Sequence, residues 1–455
     1  MKSPVLATAA VAAITTGALF AQQNSTAPQP RASTLPAVGP AQPKPSRTVP
    51  RPDGVLPKVP DGFTVSVYAE LQAPRMMVYA PNGDLFVSSP SANRITVLRD
   101  ANDDKRIAEN EKSVFAQGPP PPGRGGGGAP PPPAGAARAV NPTINGPLLG
   151  AAAPPCTAPP ADFANKGAGQ IAAPFGLAFN NGYLYVGNTS SLVRLKYASG
   201  DLKAISEPEK LMDLPAGGHT TRNVIFNRAG TKMYVSVGSQ SNNNAGEDCR
   251  RAAILEFNPD GSGYRVFASG IRNPVGLAWQ PGTNALWTAM NERDNLGDDL
   301  VPDYATSLQD GGFYGWPYSY IGKNPDPRYQ GAFPDLVNRA IVPDVLLPAH
   351  AAALGITFYD GTQFPQRYRN GAFVALHGSW NRSVAAGYKV VFFPMTNGRP
   401  GPIEDFLSNT LVSNGENGSA IETWGRPVGV TVASDGALLV SDDGSNVIWR
   451  VSATK

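Results

Sequence analysis

The chain has 455 residues, with Gly 49 and Pro 46 but only 16% charged residues. That composition fits short strands joined by many turns and argues against a helical protein. A formal net charge of +3 is too small to suggest nucleic acid or a strongly anionic membrane surface as a partner.

Residues 1–21 read as a signal peptide: Lys2 gives a basic start, Val5–Phe20 is a run of apolar and small residues, and Ala21 ends a cleavage site. The expected location is secreted or periplasmic. An integral membrane anchor would need about 20 apolar residues with fewer small polar ones, so none is expected. Residues 22–58, rich in Pro, Ala, Ser and Thr, read as a disordered linker.

Residues 59–455 read as one all-β domain, a six-bladed β-propeller. Six segments share one grammar: an alternating apolar run, a Gly-containing turn, and a second run ending in small or polar residues. They begin at Met76, Pro174, Arg222, Asn273, Ala353 and Pro427. Each is a hairpin signal, and most are followed by a further strand such as RITVLRD or VIWRV. One such sheet cannot bury its own apolar face, whereas stacking the units around an axis does so. The early strand GFTVSVYAE, from Gly62 to Glu70, is expected to pair into the last blade.

Two insertions interrupt this rhythm. Gly118 to Ala173, with its Pro/Gly-rich part at about 118–168, contains GPPPPGRGGGGAPPPPAG and reads as a surface loop that packs no core. It carries Cys156. The only other cysteine is Cys249, and an even count in an exported chain favours a bridge over two free thiols. The second insertion, Glu292 to Pro348, is dense in acidic and aromatic residues and reads as ordered and functional.

The three histidines, His219, His350 and His377, all lie in Gly- or Ala-rich turns, where propeller sites are built. Arg75, Arg272 and Arg426 stand at equivalent blade entries. Three arginines converging on a channel suggest an acidic cofactor or substrate. The run from Asn291 to Asp299, NERDNLGDD, suits calcium through carboxylate, amide and backbone oxygens. Asp100 to Glu111 matches the ligand positions of an EF-hand loop, but Lys105 stands where that loop needs Gly, and a charged surface hairpin is the better reading.

Taken in order, GGH, IRNPVGLAW, NERDNLGDDLVPDY, GGFYGWP, HGSWNRS and WGRPVGV resemble the glucose/sorbosone dehydrogenase family of soluble pyrroloquinoline quinone (PQQ) enzymes, most closely its L-sorbosone dehydrogenase-like branch. The resemblance runs from about Gly62 to the C-terminus, apart from the Pro/Gly-rich insertion. It implies a six-bladed propeller with PQQ across the channel mouth and a calcium ion on the quinone. It implies a sugar, aldose or sorbosone-like substrate and an external electron acceptor, a quinone or cytochrome. By the same resemblance His219 is the general base and Arg272 contacts the quinone oxygen that gains negative charge. Asn273, His377 and Arg426 lie beside the cofactor, Arg426 pairing with a PQQ carboxylate, and Arg75 is expected to point into the same pocket from its blade entry. Backbone carbonyls near Asp294 and Asn295 match the calcium loop. His377 stands where the glucose branch has Lys, and the Gly-Pro pair of that branch's calcium loop is missing. The competing classes are a calcium-dependent propeller lactonase and a non-catalytic binding propeller.

Overall fold

A computed structural model describes residues 35–120 and 165–454. Among them, strands predominate and form six sheets of at least four strands each, five of them antiparallel throughout. The first strands are Met77–Tyr79, Pro174–Asn180, Val224–Phe226, Asn273–Trp279, Ala353–Phe358 and Pro427–Val432. In the first five sheets the chain then runs outward strand by strand, except that Gly167–Ala168, from before its first strand, edges the second. The sixth takes its outermost strand from the chain's beginning: Phe63–Glu70 lies antiparallel to Val447–Ala453, with Val65 opposite Val451.

Each first strand packs against the next, and Pro427–Val432 packs back against Met77–Tyr79. Apolar layers fill the spaces between neighbouring sheets. Phe86, Ile95 and Val97 meet Leu184, Val186 and Val193, for example, and Phe373 and Val390 meet Val440 and Trp449. Sheets covered on both faces need no polar side, which is why strands such as Leu85–Ser89 and Leu438–Asp442 are buried at every position.

The glycine recurring in the repeats has a steric cause. A Cβ on Gly276 would lie 2.4 Å from Leu354 O, one on Gly355 would lie 2.6 Å from Val428 O, and one on Gly429 would lie 2.4 Å from Arg75 O. Inner strands therefore meet backbone to backbone, and each of these glycines sits at a register shift in its strand. Just before this level, Met76, Val275, Leu354 and Val428 close the axis as a small apolar plug. From the glycines onward, the second halves of all six first strands line a cavity of about 740 Å³.

The linker expectation is corrected from residue 35 onward. Arg47–Thr48 pairs in parallel with Glu422–Thr423, Val49 N donates to Thr423 O at 2.8 Å, and Leu35, Val49 and Val55 pack on the cores. The Pro-rich composition hid this because an extended chain still offers backbone groups and an occasional apolar side chain to a neighbouring surface. Residues 1–34, which include the segment read as a signal peptide, and 121–164, with Cys156, lie outside the described residues. Cys249 is disulfide-bonded. No helix among the described residues is long and apolar enough to cross a membrane.

The second insertion is held by a buried ion cluster. Arg293, fully buried, reaches Glu292 Oε2 at 2.9 Å, Asp326 Oδ2 at 2.7 Å, Pro317 O at 2.9 Å and Ser319 O at 2.6 Å. At the surface loop 100–111 the carboxylates bond the loop's own amides: Asp100 accepts from Asp104 N and Lys105 N, and Glu111 from Ala101 N and Ala108 N.

Candidate active site

First strands all start at one end of the ring, and each second strand runs back to that end. Residues just before a first strand and just after a second strand therefore meet around the axis. This places Arg75, Arg272, Asn273 and Arg426, which open first strands, with His377 and Asp443, which follow second strands. His219 joins them because its turn is tied to residues following Met233–Val237: His219 N donates to Ser239 O at 3.0 Å.

Arg75, His377 and Arg426 gather around Asp443, which the sequence reading missed. Asp443 accepts from Arg75 Nη1 and, at 2.8 Å, pairs with His377 Nε2. Arg426 reaches the carbonyls of His377 and Gly378 with two long bonds of 3.3 and 3.5 Å and lies 5.8 Å from the Tyr388 ring centroid. Burial works against ionisation of Asp443, but His377, Arg75 and Arg426 outweigh it and hold the carboxyl well below its usual range. Burial pushes His377 down to about 4, although Asp443 pulls the other way.

The second group surrounds His219. Its Nδ1 lies 2.9 Å from Ser239 O and 3.1 Å from Ser239 Oγ. A carbonyl can only accept, so Nδ1 carries the hydrogen and Nε2 keeps its lone pair. Burial, then the Arg272 charge, pushes His219 down to about 3, so the imidazole is neutral at ordinary pH. The turn bearing it is wrapped over two buried arginines. Arg222 donates to Pro215 O, His219 O and Thr221 O at 2.7–2.8 Å, and Arg251 donates to Gly217 O and Gly238 O at 3.2 Å.

Arg272 is saturated. Its five donors meet Asn242 O, Asn291 O, Glu292 O, Asn242 Oδ1 and Asp294 Oδ2. It brings a fixed positive charge beside His219, and a direct bond to another molecule would displace one of these partners. Asp294, expected near calcium, faces Arg272 at 3.1 Å and His350 Nδ1 at 3.3 Å. Burial raises its carboxyl pKa, but Arg272, His350 and His219 together outweigh that and lower it. Asn242 clamps the same residue, donating to Asp294 O at 3.0 Å and accepting from Asp294 N at 2.9 Å. Asn295 is exposed with φ +74. The carbonyls of Asp294, Leu296, Gly297 and Asp298 already accept from protein donors. No cluster of three or more His, Cys, Asp or Glu suited to a metal occurs among the described residues.

Several buried polar atoms in or near these groups have no partner in the structure, among them Asn273 Oδ1, Arg75 Nε and both amide atoms of Asn381. Such atoms are costly unless a ligand or water meets them, and they suit a polar guest better than an apolar one. Hydrogen bonds link the groups across the ring: Asn273 donates to Asn291 Oδ1 at 3.0 Å, Asn291 donates to Ala353 O, and His377 N donates to Ala352 O at 3.0 Å.

Known proteins are similar to this chain in sequence and in fold. The Glucose / Sorbosone dehydrogenase family model matches residues 185–379, and a TrAA12-like model matches 336–454. Aldose sugar dehydrogenase YliI of Escherichia coli is 27% identical over 172 residues, covering 34% of this chain and 44% of that one. The pyrroloquinoline quinone-dependent pyranose dehydrogenase of Coprinopsis cinerea is 34% identical over 125 residues, 25% of this chain and 16% of that one. An uncharacterised protein of Borreliella burgdorferi is 32% identical over 237 residues, 51% of this chain and 60% of that one. The chain thus spans between 16% and 60% of the length of the curated relatives it matches. In fold it is similar to the holo PQQ domain of the Coprinopsis pyranose dehydrogenase, with a TM-score of 0.64, 20% identity and coverage of 90% and 100% of the two chains. The calcium structure of a Trichoderma reesei family AA12 enzyme also gives 0.64, with 16% identity and coverage of 88% and 97%. The fold is all-β and similar to these propellers. Part of the chain is similar in sequence to the glucose / sorbosone dehydrogenase family and to an aldose sugar dehydrogenase, and its fold is similar to a PQQ-bound propeller domain.

Proposed function

We propose that this chain is an exported, PQQ- and calcium-dependent oxidoreductase on a six-bladed propeller that oxidises an aldose or sorbosone-like sugar. One observation carries the reading: one end of the ring brings a neutral histidine with a free Nε2, His219, together with two arginines, Arg75 and Arg426, gathered with His377 around the ionised Asp443. Bound there, PQQ would supply a two-electron, hydride-accepting quinone.

His219 Nε2 takes the proton of the substrate hydroxyl, with Ser239 fixing the tautomer and the Arg222-held turn fixing the ring. Arg272 contributes a positive field beside the reacting centre. Arg426, with its two long bonds, and Arg75 are suited to carboxylates, while neutral His377, donating from Nε2 to Asp443, leaves Nδ1 to accept a hydrogen bond. Asn273 Oδ1 and the Asn381 amide offer unfilled hydrogen bonds to a cofactor. Calcium would bind through the exposed turn at Asn295, by backbone oxygen, while Asp294 serves as the partner of Arg272. A propeller lactonase would place carboxylates on its ion, and the cationic end of this ring does not favour that reading. The leader pattern of residues 1–21 supports a secreted or periplasmic location, and electrons would leave to a quinone or cytochrome.

The test is dye reduction by the purified chain across aldoses and sorbosone, with and without PQQ and calcium. Turnover that requires PQQ supports the assignment, and turnover indifferent to PQQ defeats it.

A further inference from the structure

Five of the six tryptophans are buried or half-buried, whereas Trp380 is 47% exposed. It stands three residues after His377, on a turn with little freedom. Ser379 N donates to Ala386 O at 2.9 Å, Ala386 N donates to Ser379 Oγ at 3.0 Å, and Tyr388 OH donates to Ser379 O at 2.6 Å. Farther along, Arg382 Nη1 donates to Asp298 O at 2.6 Å, and Ser383 N donates to Asp298 Oδ1 at 3.1 Å. The turn therefore bridges the two halves of the site, from Asp443 at His377 to the 294–298 loop at Arg382. Ser379 and Asn381 on either side of Trp380 are fully buried, so the indole alone faces outward.

The docked N-terminal segment straps both loops. Gly39 N donates to Leu296 O at 2.9 Å and Lys44 N donates to Trp380 O at 2.8 Å. The Lys44 ammonium caps Gly415 O at 2.8 Å and Ser419 O at 3.1 Å. Five residues of extended chain reach at most about 17 Å, so the Trp380 backbone stays close to the 294–298 loop. A lone exposed apolar side chain is unremarkable on a mobile surface. An exposed indole on a backbone held from both sides, three residues from His377, is a flat apolar face of the kind that orients ligands.

We propose that Trp380 is the substrate platform of this site, its indole stacking on the apolar face of a pyranose ring while the N-terminal strap fixes its backbone. This rests on the reading of the site as one for sugars, and it adds a selectivity: cyclic sugars gain from the indole and small acyclic aldehydes do not.

The experiment titrates 1,5-anhydroglucitol, a pyranose without an oxidisable anomeric centre, onto the full chain with PQQ and calcium present, by calorimetry. Trp380→Ala is expected to weaken binding about ten-fold or more, and Trp380→Phe to restore most of it. In turnover, Trp380→Ala should raise KM for pyranose aldoses by about the same factor relative to KM for glyceraldehyde. Equal binding by wild type and Trp380→Ala overturns the proposal, as does a KM raised equally for both substrate types or a wild type that binds no pyranose. If the pyranose binds through Trp380 but no aldose is oxidised with PQQ, the platform stands and the proposed activity falls.

Discussion

His219 gives a prediction that needs no cofactor. Its pKa is lowered from 6.5 to about 3, by burial first and the Arg272 charge second. In the unfolded chain the same imidazole takes up a proton below 6.5. The unfolded state therefore binds more protons than the folded state between those values, and stability falls as pH drops through that window. At about pH 5 the gap is about 1.5 units, and at about 1.4 kcal/mol per unit the loss is about 2 kcal/mol. Other buried groups titrate over the same range, among them Asp303, raised to about 7 by burial, so the wild-type curve alone is not diagnostic. The difference between wild type and His219→Gln isolates one residue, because the remaining groups are common to both chains. Urea unfolding of the apo chains at about pH 7.5 and about pH 5 should show wild type losing about 2 kcal/mol more than the variant. An equal loss in both chains would refute the claim that the site holds His219 neutral.

In turnover, His219→Ala should lower the rate by about 10²–10⁴-fold, with PQQ uptake measured by absorbance nearly unchanged. Arg426→Ala should act in the reverse order, weakening the PQQ titration before it slows turnover at saturation. Gly355→Ala puts a Cβ 2.6 Å from Val428 O and 3.0 Å from Gly429 Cα, so unfolding experiments should show a loss of at least about 1–3 kcal/mol from overpacking. Lys44→Pro deletes both the amide bond to Trp380 O and the ammonium cap; hydrogen exchange should quicken around residues 377–388 with little change in the global unfolding midpoint.

What the sequence disclosed follows from periodicity. The hairpin grammar located all six first strands, and the placement of Arg75, Arg272 and Arg426 at equivalent points of the repeat was enough to put them at one end of the ring. Asp443 and Asn242 were not legible, because their roles depend on partners far away in sequence: Asp443 meets Arg75 and His377, and Asn242 meets Arg272 and Asp294. An Asp-Asp-Gly turn and an Asn-rich loop look the same whether or not an arginine waits across the axis. The saturation of Arg272 was likewise hidden, since four of its five acceptor atoms belong to the backbone or to amide side chains. The Pro-rich segment misled for the opposite reason: its composition describes an unpartnered chain, and the Glu422–Thr423 edge supplies the partner.

The pairing of Phe63–Glu70 with Val447–Ala453 has a consequence for biosynthesis. The first strand of the domain to leave the ribosome waits for the last, with almost the whole chain made in between. Until then its apolar positions and open edge have no native mate, and the sheet that should cover Leu85 and Val87 is missing. Contacts of such long sequence separation form slowly, and an unpaired strand edge invites pairing with another molecule. Sequestering the early strands until the C-terminal hairpin arrives is thus a requirement that the topology places on the cell, and a chain truncated before Val447 should accumulate as aggregate instead of as a smaller folded ring.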